Sequence, residues 1–102
     1  MNFGLNENTI IKINSVFENH SEIEEVIIYG SRAKGNFRNG SDIDLTIKGE
    51  NIKYEILSKI NQEIDDLNTP YMFDISIFKD LDSKELIEHI NRAGKIFYKK
   101  YK

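Results

Sequence analysis

The chain has no cysteine and a single proline, and positive charge is not in excess. The missing cysteine excludes a disulfide framework, a thiolate zinc site and a cysteine nucleophile. No apolar run approaches the roughly 20 residues needed to span a bilayer. The start Met1-Asn2-Phe3-Gly4-Leu5-Asn6-Glu7 lacks the basic and apolar stretches of a signal peptide. A cytoplasmic protein with no membrane contact is therefore expected. Lys and Arg number 14 against 17 Asp and Glu, a net charge of −3. That balance opposes direct binding of long nucleic acid, which needs a concentrated basic surface. No repeat, low-complexity stretch or Pro/Gly/Ser-rich linker divides the 102 residues. A single domain over 1–102 follows, just large enough for one core without metal or disulfide staples.

What is present reads as alternating helices and strands. Ile10, Ile13 and Phe17, with Val16, form an apolar stripe that predicts a helix over 7–20, capped by Asn6 or Asn8. Val26-Ile27-Ile28 marks a buried strand over 25–29, ended by Gly30. The segment 31–41 is small, polar and basic, with room for one helical turn at Ser31 and a turn signal at Asn39-Gly40. Strict alternation over 42–48 predicts a half-buried strand, with Ile43, Leu45 and Ile47 on one face and Asp42, Asp44 and Thr46 on the other. Ile52, Ile56, Ile60 and Ile64 predict a helix over 51–67, with Pro70 beyond its end. A third strand over 71–78 has Phe73, Ile75 and Ile77 on one face and Asp74 and Ser76 on the other. Asp82 or Ser83 caps a last helix ending near Gly94. Ile96-Phe97-Tyr98 suits a short edge strand, and the tail 99–102 is expected to fray. This order predicts an α+β domain, α/β-like in its alternation: a mixed sheet of three to four strands with helices on one face.

Asp is depleted in strands because its short side chain competes for backbone hydrogen bonds. Asp42 and Asp44 nevertheless share one strand face, roughly 7 Å apart from the rise per residue. If the strand carrying Asp74 is a neighbour, three carboxylates converge. Such a cluster stays solvated, has a raised pKa, or holds a divalent cation. Hard oxygen ligands with no His or Cys beside them favour Mg²⁺ or Mn²⁺ over Zn²⁺. Gly30 permits close backbone approach to a ligand, and Ser31 begins a helical turn whose amides suit an anion. His20 and His89 are too scattered for a metal site, and Ser31 lacks the base a covalent nucleophile needs.

The spacing joins these hints. Gly30-Ser31, ten intervening residues, then Asp42-Ile43-Asp44 is a Gly-Ser-x10-Asp-x-Asp pattern. Chance would produce it in about one in a thousand chains of this length. With Arg32, Ala33, Gly35, Ser41, Leu45 and Asp74, it resembles the DNA polymerase β-type nucleotidyltransferase superfamily. In size and layout it is similar to that superfamily's minimal nucleotidyltransferase (MNT) branch. The resemblance implies the nucleotidyltransferase fold and transfer of a nucleoside monophosphate, AMP from ATP above all, to a hydroxyl. Two Mg²⁺ ions, or Mn²⁺, would be held by Asp42, Asp44 and Asp74, with Asp74 helping to activate the acceptor. Gly30 and Ser31 would bind the β- and γ-phosphates, with Arg32, Lys34 and Ser41 as further candidate nucleotide contacts. It also implies a partner: MNT proteins are commonly the antitoxins of small helical HEPN-type toxins, and the acceptor would arrive on that protein's surface. A contact-only antitoxin and a stand-alone enzyme acting on a small molecule are the alternatives. A homo-oligomer stays open.

Overall fold

The computed structural model describes residues 2–38 and 40–101. The elements in chain order are α1 (Glu7–Glu18), β1 (Ile23–Tyr29), α2 (Ser31–Lys34), β2 (Ile43–Gly49), α3 (Tyr54–Asp65), β3 (Phe73–Ile77), a 3-10 turn (Phe78–Asp80), α4 (Lys84–Ala93) and β4 (Lys95–Lys99). The strands form one mixed sheet in the order β3-β2-β1-β4. β1 runs antiparallel to both β2 and β4, whereas β2 and β3 are parallel. A parallel pair needs a crossover rather than a hairpin, and α3 provides it.

Local signals set most boundaries. Asn6 caps α1 by accepting from the Thr9 amide at 2.8 Å, and Ser83 caps α4 by accepting from Leu86 at 3.2 Å. α3 starts three residues later than the isoleucine spacing predicts. Asn51 takes a left-handed conformation, φ 58°, which Asn tolerates because its short amide bonds locally. Ile52 therefore joins the core from outside the helix. At the far end Asn68 is left-handed as well.

The apolar strand residues Val26, Ile28, Ile43, Leu45, Ile47 and Ile75 pack with Ile13, Val16 and Phe17 of α1 and Ile60 and Ile64 of α3 in the main core. The expectation of helices on one face is corrected by α4. Its Ile90 and Leu86 pack with Ile27, Tyr29, Phe78 and Leu81 in a second cluster. Ile27 and Tyr29 have the opposite parity to Val26 and Ile28, so this cluster lies on the other face of the sheet. Part of that second face is thus roofed by α4, and another part carries the acids.

The edge strand at 96–98 is present as β4. The tail does not fray where expected: Lys100 donates its amide to the Glu24 carbonyl at 2.9 Å and its Nζ to the Ser21 carbonyl at 2.9 Å. Lys102, the first residue Met1 and Asn39 of the turn signal lie outside the described residues. No helix among the described residues is long and apolar enough to cross a membrane.

Candidate active site

β2 and β3 pair in register, and that register sets Asp44 directly beside Asp74. Neighbouring strands lie about 4.8 Å apart, so two like charges from separate segments are side by side. Asp42 stands one residue before β2, exposed to solvent, and Asp74 is exposed on the edge strand. Asp44 is half-buried between them. Its carboxyl is pushed above the ordinary carboxylate range, first by burial and then by the charges of Asp74 and Asp42. Asp74 and Asp42 thus both act on Asp44. Among the described residues no three acidic or histidine side chains close into a ready-made metal cluster.

Gly30 stands against this group. Its φ is +79° and its ψ −155°, a backbone region open essentially to glycine alone. A Cβ there would lie 2.6 Å from Asp44 Oδ2. Glycine is thus required twice, for the turn and for the space over the carboxylate. Ser31 opens α2, whose N-terminus has no side-chain cap. The Gly35 amide bonds the Ser31 carbonyl at 2.9 Å and ends the turn. Lys34 is exposed on α2.

Arg32 is a correction. As a candidate nucleotide contact it should face solvent, yet it is 2% exposed. Its Nε donates to the Ser41 carbonyl at 3.0 Å and its Nη1 to the Phe3 carbonyl at 2.9 Å. The guanidinium lies between the rings of Phe37 and Tyr71, at 5.0 and 4.9 Å from their centroids. A desolvated cation needs such partners. Here they are carbonyls and π-faces that tie Phe37 and Ser41 to Phe3 and Tyr71. The Ser41 Oγ accepts from the Arg38 amide at 2.8 Å, which leaves its own proton free to donate.

A family model described as polymerase beta, nucleotidyltransferase, matches residues 11–102, which include the Gly-Ser turn and all three aspartates. The chain belongs to this nucleotidyltransferase family. Solved structures carry the same fold. A toxin–antitoxin complex with AMP-PNP contains a chain similar at TM-score 0.71 and 22% identity, over 94% of this chain and 75% of that one. The tri-AMPylated Shewanella oneidensis HEPN toxin in complex with its MNT antitoxin gives TM-score 0.67 at 14% identity, over 92% and 72% of the two chains. The MntA–HepT toxin–antitoxin complex gives 0.61 at 15%, over 93% and 74%. No curated protein sequence matches.

For a nucleotidyltransferase the donor chemistry fits a hard divalent cation. Three carboxylates repel one another with no Arg, Lys or His paired to them among the described residues, and the missing Cβ of Gly30 leaves Asp44 Oδ2 open. His20, by contrast, is paired elsewhere, with Glu63 at 2.8 Å. A cleft of about 580 Å³, lined by residues of α1 and β4 such as Asn14, Glu18 and Tyr98, contains none of the acids. The acids themselves occupy open sheet surface. Sequence reading missed the side chain that stands beside Asp44 on the next strand. Tyr29, paired in register with Asp44, was legible only as the end of an apolar strand, although its parity with Ile27 signals the acid-bearing face.

Proposed function

We propose that this nucleotidyltransferase transfers AMP from ATP to a hydroxyl on a HEPN-type partner protein and so acts as that partner's antitoxin. The observation that carries the reading is the register that sets Asp44 beside Asp74, with Gly30 opening onto the Asp44 carboxylate. Asp42, Asp44 and Asp74 would hold two Mg²⁺ ions, with Mn²⁺ as a substitute. Bound there, the ions supply charge neutralisation and in-line alignment of the α-phosphate. Gly30 and Ser31 hold the triphosphate tail through backbone amides, aided by the exposed Lys34. Asp74, exposed at the sheet edge, orients the acceptor hydroxyl and takes its proton as the oxygen attacks the α-phosphorus and pyrophosphate leaves. The protein's share is positioning and charge stabilisation.

The open setting of the acids favours a macromolecular acceptor. Asp42 and Asp74 are both exposed, so a protein surface can reach them. A protein partner brings the second wall itself. The AMPylated HEPN toxin seen with a structurally similar chain supports the same assignment.

Incubation with ATP, Mg²⁺ and the partner should add an adenylate mass increment to the partner. Asp42→Asn with Asp44→Asn should abolish it and leave the toxin active. Unmodified partner in the wild-type reaction, with both proteins folded and associated, would refute transfer. If the double variant neutralises the toxin as well as wild type does, contact alone suffices.

A further inference from the structure

The sheet ends in two strands that are finished differently. β4 carries Lys95 and Lys99 at its ends, and its register with β1 slips between Val26 and Ile27, which puts a bulge at Phe97. Lysine and a bulge keep other chains from pairing with an edge strand. β3, at the other edge, has neither. Its residues Phe73–Ile77 include no lysine or proline and stay in unbroken register with β2. The Met72 carbonyl accepts from the Ile43 amide at 2.9 Å, and pairing in that register turns the N–H and C=O of Asp74 toward β2 as well. Phe73 and Ile75 turn theirs the other way, because backbone groups alternate in direction along a strand. With β3 last in the sheet, no strand among the described residues takes them up. Such a row of donors and acceptors is a template for an extended chain.

Its surroundings select which chain. Met72 is 71% exposed and shares the face of Asp74 by parity. Between α3 and the start of β3 lies a cleft of about 240 Å³, lined by Asn61, Ile64 and Asp65 and by Tyr71, Met72 and Phe73. Asp65 is exposed and has no cationic partner among the described residues. A largely apolar cleft beside a free carboxylate suits lysine or arginine, whose stem packs on apolar surface while the head reaches the charge. Antiparallel pairing is the slightly stronger mode. It puts the residue opposite Asp74 at a non-hydrogen-bonded position, with Cα atoms about 4.5 Å apart and side chains close together. The next residue of the added strand points to the other face of the sheet, toward α3 and the cleft.

We propose that the β3 edge takes up an extended segment of the partner protein as an antiparallel fifth strand. That strand sets an acceptor Ser, Thr or Tyr hydroxyl opposite Asp74 and an adjacent Lys or Arg over the Asp65 cleft. The inference rests on the transferase reading, because it needs an acceptor on that partner.

Hydrogen exchange followed by NMR on the full chain, free and with the HEPN-type partner of the transfer assay in excess, tests this. Once about nine-tenths of the chain is bound, the Phe73 and Ile75 amides should exchange at least about 10-fold more slowly. Asp65→Lys should raise KM for the partner about 5-fold or more, with kcat and melting temperature unchanged. Equal exchange of both amides in the free and bound chain, on a partner that is still modified, overturns the inference and leaves the transferase reading standing. An unchanged KM in Asp65→Lys overturns the placement of the cationic residue. Protection that grows with the concentration of the chain alone assigns the edge to a second copy and overturns the partner segment. A partner that protects the amides without gaining an adenylate refutes the transferase reading, and the acceptor placement falls with it.

Discussion

Asp44 is a residue whose native surroundings oppose its own charge. Burial and two neighbouring carboxylates raise its pKa above the ordinary 3.8, so the folded chain binds that proton more tightly than the unfolded chain does. The favourable contribution is present at low pH, fades as pH rises from the ordinary value through the raised one, and is absent at neutrality. Asp44→Asn removes that dependence. Thermal melts in metal-free buffer at pH 7 should place the variant at or above wild type, and the gap should close as pH falls toward 4. A variant melting many degrees below wild type at pH 7 would mean that the carboxylate supports the fold instead.

Among the elements, α2 is too short to stand alone: four residues form one turn. Its place depends on Ala33 in the main core and on Arg32, which links the N-terminal residues to the segment leading into β2. Lysine cannot copy that link, because its ammonium lacks the planar fork that serves two carbonyls while stacked between two rings. Arg32→Lys should cost about 1.5–3 kcal/mol in urea unfolding, the worth of one hydrogen bond to a charged group. Hydrogen exchange should speed up over 35–42, next to the candidate phosphate turn. Unchanged exchange there would remove the proposed tie. The arginine in the sequence pattern was thus read for its charge, whereas its neighbours in space make it a structural strut. Phe3, Phe37 and Tyr71 come from three separate segments, and no local pattern brings them together.

Across the whole molecule, stability comes from apolar packing on both faces of the sheet, and with no cysteine in the chain no disulfide adds to it. A chelator should leave the melting temperature within about 1 °C of its starting value. Mg²⁺ at ten times its dissociation constant should add about 1.4 kcal/mol by linkage, several degrees for a domain of this size. Calorimetry with and without EDTA and Mg²⁺ checks both. Unfolding by EDTA would make the cation a structural component, and no rise with Mg²⁺ would speak against a cation site at the acids.

The sequence by itself determined the strand and helix order, the faces of β2 and β3, and the Gly-Ser and Asp-x-Asp spacing, because period-two alternation and glycine's conformational freedom act over a few residues. It also placed Asp74 on the right face of its strand. Only tertiary structure decided that β3 lies parallel beside β2 in the register that sets Asp74 against Asp44, since strand neighbours are chosen by how α3 packs across them. It likewise sent α4 to the opposite face, put Arg32 in the interior and set Tyr29 beside Asp44. Each of these depends on contacts between segments far apart in the chain, where the chemistry of a side chain is set by what surrounds it.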